Sequence, residues 1–319
     1  MKKLLSRLVK IGLVLTLLGG IIFVAAFAAS DFNFEKMSGI VTTTETYTES
    51  DGFTANKLVL DFDTTDIKLN FDENATKISI QYNEKITKKG DTLSYVTPSE
   101  RDGIITLIET KNWKENLFLW DFKTPTVTVT IPKERVLELV IETDTGDVTI
   151  TGTGTLNGAE ISTDTGDVYA TRATLISTKA IKFEADTGDV KLKNLTAAGL
   201  DIETDTGDIT LTDVTVSDSI ILSADTGDLE IKGSLNARYL EIETDTGEFD
   251  ADEAVINAEI ISIKTDTGDI TARIAGKLTD YEVKAKTRTG DSNITNQAGG
   301  ARKLTLISST GDIEIFFTE

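Results

Sequence analysis

The chain has 319 residues and a formal net charge of −21, is visibly rich in Thr and Asp, and contains neither Cys nor His. Without thiols it can build no disulfide framework, thiolate metal site or cysteine nucleophile, and without imidazoles it lacks the commonest general base and zinc ligand. So acidic a chain is also a poor match for nucleic acid, because phosphate binding needs a basic surface.

The N-terminus carries Lys2, Lys3, Arg7 and Lys10, followed by an uncharged apolar run from Ile11 to Ala29. A run of that length can span a bilayer as one helix. Basic residues on its N-terminal side predict that this end stays in the cytoplasm and the bulk lies outside. Residues 1–30 are therefore expected to form a basic cytoplasmic tip and a transmembrane anchor. The rival reading is a cleaved signal peptide, since Ala26-Phe27-Ala28 has the small-x-small form of a cleavage site. Either reading exports the chain, and with no Cys after the run a lipoprotein anchor is excluded. Residues 31–50 are polar and Thr-rich and read as a stalk.

Residues 51–135 read as a degenerate solenoid end that caps the regular coils downstream, since terminal repeats are usually atypical. Leu58 and Leu60 precede Asp63-Thr64-Thr65-Asp66, and Ile67 and Leu69 come after it. Beyond residue 72 the pattern becomes irregular, with Pro98, Pro125, Pro132 and the aromatic stretch Trp113–Phe122. That stretch is expected either to plug the cap or to form an exposed aromatic loop that meets a membrane or a partner.

Residues 136–319 carry the decisive pattern. The string Asp-Thr-Gly-Asp, or a close variant, recurs with its glycine at Gly146, Gly166, Gly188, Gly207, Gly227, Gly247, Gly268, Gly290 and Gly311. The steps between them are 19 to 22 residues, and the variants carry Glu248, Arg288 or Ser309 in place of an acid. Aligned on the glycine, apolar columns stand seven before it (Leu139 to Leu304), five before it (Ile141 to Leu306) and two after it (Val148 to Ile313), with a small Thr/Ala/Ser column three before it. A spacing of two within each copy is the strand period. Each copy is thus a strand, a tight turn, a second strand and a shorter third side bearing Ala173, Leu195, Val214 or Ala254. One such unit cannot bury its apolar stripe alone, so the copies must stack. The fold expected is all-β, a parallel β-solenoid with coils of about 20 residues behind one transmembrane helix. Gly is expected at the corner because the turn needs φ > 0, and the flanking acids are expected to accept hydrogen bonds from turn amides.

The basic start, the single apolar span and the serial Asp-Thr-Gly-Asp turns resemble the candidate-adhesin family of bacterial β-solenoids, a domain of unknown function, including the membrane-anchored LiaG-like proteins of Gram-positive envelope-stress operons. The resemblance covers residues 1–30 and 137–319, more weakly Leu58–Leu69. It implies an extracytoplasmic location and a role in adhesion or in sensing or protecting the cell envelope. It carries over no catalytic residue.

Stacking the turns would create two acidic columns. One is Asp144, Asp164, Asp186, Asp205, Asp225, Asp245 and Asp266; the other is Asp147, Asp167, Asp189, Asp208, Asp228, Glu248, Asp269, Asp291 and Asp312. They read first as turn caps that also solubilise the protein. The sharper reading is a divalent cation such as Ca²⁺, which would relieve the repulsion between stacked carboxylates. Outward Glu142, Glu184, Glu203 and Glu243 add to a negative side able to attract cationic peptides, with Lys264 and Lys286 weakening the field toward the C-terminus. No catalytic or cofactor-binding residue stands out. The expected function is a non-enzymatic, membrane-anchored surface module that binds a protein, a peptide or an envelope component. The alternative is a cell-wall polysaccharide-active β-helix enzyme, since paired carboxylates can hydrolyse glycosides; no long insertion breaks the regular coils to shape a cleft for one.

Overall fold

The structure, a computed structural model, describes residues 2–29, 31–32, 40–87, 92–111 and 125–319. The aromatic stretch Trp113–Phe122 lies outside the described residues. The chain divides into two compact units. One comprises Met1–Thr44, Asn83–Tyr95 and Thr110–Lys123. It holds a helix over Lys2–Ala29, whose described side chains are Gly12 and the exposed or half-exposed run Leu15–Ala29. Among the described residues no helix is long and apolar enough to cross a membrane. Within the residues read as a stalk, the Thr-rich stretch Ile40–Thr48 forms a β-strand, in keeping with the strand preference of Thr and Val.

The second unit, Glu45–Tyr82, Val96–Glu109 and Thr124–Glu319, is a parallel β-solenoid. The coil of Gly207 shows how it is built. Strand Leu200–Thr206 leads into the glycine turn and strand Ile209–Val216 leads out of it. Leu200, Ile202, Ile209, Leu211, Val214 and Val216 all point inward and are buried, each worth roughly 1.5–3 kcal/mol for the larger side chains. Asp213 adopts φ 54° and bends the second strand into two short sides. The same corner falls at Asn194 (φ 55°) and Gly233 (φ 71°) in the adjoining coils. The columns read from the sequence are the register observed: Ile181, Leu200, Ile220, Leu240 and Ile261 stack one above the other.

From Val136 to Ile274 the coils succeed one another in chain order, but at each end they do not. Leu58 pairs with both Ile105 and Leu139, so strand Lys57–Phe62 lies between Ile104–Lys111 and Val136–Thr145. Asp66–Asp72 likewise lies between Thr126–Pro132 and Val148–Thr165. At the other end Leu304 pairs with both Ile261 and Val283, which puts strand Arg302–Thr310 between Ile260–Thr267 and Tyr281–Thr289. The last coil of the sequence is therefore the last but one in space, and the coil of Gly290 forms the end layer. This explains why the inward columns fail only there: Ala285 and Thr287 are half-buried and Ser292 is exposed, whereas the equivalent residues of the last coil, Leu306, Ser308 and Ile313, are buried.

The opposite end is pinned by a buried charge. The Glu49 carboxylate accepts both guanidinium nitrogens of Arg135, at 2.8 and 3.0 Å, and the amides of Ala55 (2.9 Å) and Ile78 (3.2 Å). Four chain segments meet on one side chain, so it fixes the N-terminal layers in place.

Candidate functional site: the stacked acidic turns

The glycine of each turn is required twice over. In every turn from Gly166 to Gly311, φ lies between +144° and +157°, a region that side chains with a Cβ avoid. The second reason was not legible in one sequence. A Cβ on Gly207 would stand 2.0 Å from the carbonyl oxygen of Gly188, and one on Gly227 would stand 1.9 Å from that of Gly207. The turns are stacked backbone on backbone, with no room for a side chain between coils. Gly146, which lacks the positive φ, is still held to glycine by the carbonyl of Thr65 at 2.2 Å. The small column three residues earlier serves the same stack. The hydroxyls of Thr163, Thr204 and Thr244 donate to the carbonyls of Gly146, Gly188 and Gly227 at 3.3–3.4 Å.

The two acidic columns behave differently. In the column after the glycine, each carboxylate from Asp147 to Asp228 accepts the backbone amide of the equivalent residue one coil on. Asp147 accepts from Asp167 (2.9 Å), Asp167 from Asp189 (2.8 Å), Asp189 from Asp208 (2.9 Å), Asp208 from Asp228 (2.9 Å) and Asp228 from Glu248 (2.8 Å). The ladder resumes from Asp269 to Asp312 and from Asp312 to Asp291, both at 2.7 Å, in the spatial order of the coils. Turn capping is thus real, but it runs between coils and not within a turn. Asp189 shows the balance of forces on such a rung. Burial pushes its carboxyl up, while the ammonium of Lys191 at 2.6 Å and the Asp208 amide outweigh this and hold it below the ordinary value. Tyr169 donates its hydroxyl to Asp167, which pushes the phenol well above its usual range.

The column before the glycine forms no such ladder among the described residues. Asp164, Asp186, Asp205, Asp225 and Asp245 are exposed and make no hydrogen bond or ion pair among the described residues; Asp266 accepts one from Ser309 at 3.3 Å. Glu184, Glu203 and Glu243 project beside them, interrupted in register by Ser223 and succeeded by Lys264. Lys182 bonds Glu184 at 2.6 Å, and Lys264 stands 3.6 Å from Glu241 and 3.7 Å from Glu243. Lys286 lies in the end layer, separated from Lys264 by Ile307. On the side after the glycines, Asp208, Thr210, Asp228, Glu230, Glu248 and Asp250 line a shallow groove of about 270 Å³. Among the described residues no group of three or more acidic side chains is arranged to hold a metal ion.

Fold and site together define a parallel β-solenoid whose backbone turns stack in contact and present one carboxylate ladder and, from Asp164 to Asp245, one run of exposed carboxylates without hydrogen bonds among the described residues. The chain belongs to the Toastrack DUF4097 family, a domain of unknown function whose profile matches residues 55–316. A solved structure of a candidate adhesin from Bacteroides fragilis is 16% identical, with a TM-score of 0.42 over 87% of this chain and 97% of that one. A candidate lipid-binding protein from Parabacteroides distasonis is 12% identical, with a TM-score of 0.37 over 85% and 96%. A candidate adhesin from Parabacteroides merdae is 12% identical, with a TM-score of 0.29 over 87% and 96%. No curated protein matches the chain.

Proposed function

We propose that the chain is a non-enzymatic, extracytoplasmic surface module, held to the membrane through its N-terminal helix, that binds a cationic peptide or protein of the cell envelope on its acidic turn face. The observation that carries this reading is the column Asp164 to Asp245. The fold uses the carboxylates after the glycine as rungs, but among the described residues it makes no hydrogen bond or ion pair to Asp164, Asp186, Asp205, Asp225 and Asp245, which stay exposed. Aligned like charges repel, at about 0.9 kcal/mol per neighbouring pair even in bulk water, so this column costs stability that a cationic ligand would return. The anchor rests on the uncharged run Ile11–Ala29 behind four basic residues. Protease added outside intact cells should then degrade the solenoid and leave the N-terminus cell-associated; release of the whole mature protein would point to cleavage near Ala28.

The test of the acidic face uses oligolysine as the probe. Asp205→Asn, Asp225→Asn and Asp245→Asn together should weaken binding several-fold, and the wild-type affinity should fall steeply with salt, since exposed charges are screened within ~8–10 Å. Neutralising Asp291 and Asp312 should affect binding less and stability more. Binding that the triple variant leaves unchanged would sink this reading.

A further inference from the structure

Away from the acidic turns, the third side of the coils carries an outward column that changes character along the stack: Thr196, Thr215, Asn236, Asn257. Just past Asn257 the third side is cut short. Strand Phe249–Asn257 pairs with Ile270–Ile274 at Ala251↔Ala272 and again at Ile256↔Ile274, so five steps of one strand face two of the other. The missing residues leave a notch. It is a groove of about 720 Å³ whose lining includes Ser234, Asn236, Asn257, Gly276, Asp280 and Arg302, within the size range of ligand sites.

The floor of this notch is a chain of side-chain hydrogen bonds. The Asn236 amide donates to Thr215 Oγ1 at 3.5 Å, the Asn257 amide donates to Asn236 Oδ1 at 3.3 Å, and Arg302 Nη2 donates to Asn257 Oδ1 at 3.0 Å. Arg302 is itself fixed from behind, where Nη1 donates to the Tyr281 hydroxyl at 2.9 Å and the guanidinium packs over that ring. The row is therefore held in place before any ligand arrives. Each half-buried amide retains one N–H and one oxygen lone pair, so the row offers paired donors and acceptors repeated once per coil, ~4.8 Å apart. The local charge is balanced, with the guanidinium of Arg302 and the carboxylate of Asp280 on one groove, in contrast to the turn face. Val255 and Ala275 add small apolar surface between the polar groups.

We propose that this groove binds a neutral, hydroxyl-rich glycan chain. Hydroxyls both donate and accept, as the Asn row requires, and successive sugar rings of an extended chain repeat at a distance close to one coil. A carboxylate-bearing chain would meet Asp280 and the negative field of the protein; a cationic one would meet Arg302. The site is independent of the acidic face.

The test is titration of the full-length protein with short cello-, manno- and N-acetylchito-oligosaccharides, alongside a uronate-bearing oligosaccharide. At least one neutral series should bind. Asn236→Leu should weaken it about tenfold, the worth of one or two lost hydrogen bonds. Ser234→Tyr, at an exposed position that bonds only Asp213, should block the groove with the thermal midpoint unchanged. Asp205→Asn should leave glycan binding as it is, so failure here is distinct from failure of the acidic-face reading. The proposal is overturned if no neutral oligosaccharide binds, if only the uronate chain binds, or if both groove variants bind like the wild type.

Discussion

The middle of the solenoid and its ends are built from the same repeat but obey different rules of order. Between Val136 and Ile274 each coil rests on its predecessor in sequence, and the inward columns are unbroken. At both ends a coil is inserted between two others, Lys57–Phe62 at one and Arg302–Thr310 at the other. The repeat pattern fixes what a coil looks like, because burial demands an apolar residue at every second position of each strand. It does not fix which coil is the neighbour, because every well-formed coil offers the same backbone edge and the same inward apolar columns to the coil above and below. Position at the end selects for degeneracy, since one face of the end layer has no coil upon it.

The most disruptive way to break this comparison is to remove the inserted coil. A chain ending at Ala301 loses the layer that joins Tyr281–Thr289 to the stack, along with the Arg302–Tyr281 hydrogen bond. Hydrogen exchange should then show protection lost across Tyr281–Thr289 while Ile220–Thr226 stays protected. If Tyr281–Thr289 kept its protection it would have re-paired directly onto Ile260–Thr267, and the inserted order would be dispensable.

At the N-terminal end the corresponding lock is Glu49–Arg135. The Glu49 side chain is only 1% exposed and that of Arg135 17%. Arg135→Ala strands a buried carboxylate and should cost about 3–5 kcal/mol by urea denaturation at neutral pH. Burial pushes the Glu49 carboxyl up, but the amides of Ala55 and Ile78 and the guanidinium of Arg135 outweigh it and hold it below its ordinary value. A depressed carboxyl contributes stability that is present above its unfolded-state value and lost as pH falls through the folded one. The gap between wild type and variant should therefore narrow on acidification. A gap independent of pH would assign the loss to packing alone.

In the middle of the stack the sharpest contrast is between neighbours in one turn. Gly207→Ala places a Cβ against the Gly188 carbonyl at φ 154° and should cost ~3 kcal/mol or more from strain and overpacking together. Asp205→Asn, two residues away on an exposed side chain without a partner, loses no contact and relieves repulsion with Asp186 and Asp225, so it should be neutral to stabilising. Equal effects would mean the turns are not in backbone contact.

These contrasts show where the sequence was readable. Period-two columns named the core almost residue by residue, and Ala173, Leu195, Val214 and Ala254 on the third side are buried as read. The end order was hidden in a weaker signal. Ala285, Arg288 and Ser292 depart from the consensus in the coil of Gly290, whereas the coil of Gly311 is nearly regular; degeneracy one coil before the end of the sequence marks the end of the stack. The corner at Asn194, Asp213 and Gly233 went unread, although these residue types tolerate positive φ and stand at equivalent places in adjoining coils. The glycan groove was not, because it arises from residues missing from one side of one coil, which near-constant glycine spacing conceals. Nor could a single turn say which of its two acids would be a rung.

That division of labour between the acids has a fine-scale test at the one place where the ladder is interrupted. Asp228 accepts the amide of Glu248 at 2.8 Å, and Asp269 accepts that of Asp312 at 2.7 Å, but the Asp269 amide finds no carboxylate from the coil before it. Glu248 stands at that rung, with a side chain one methylene longer than the Asp of the other rungs. Glu248→Asp should complete the ladder. One added hydrogen bond at this solvent-exposed rung is worth about 1 kcal/mol net, which for a large domain raises the melting temperature by roughly 2–4 °C, and exchange of the Asp269 amide should slow. The reverse change, Asp208→Glu, should remove the rung to the Asp228 amide and lower stability by a similar amount. Net charge is the same in both substitutions, so neither effect can come from relief of repulsion. If both were neutral, the rungs would be a by-product of stacking, and the carboxylates after the glycine would be as available to a ligand as those before it.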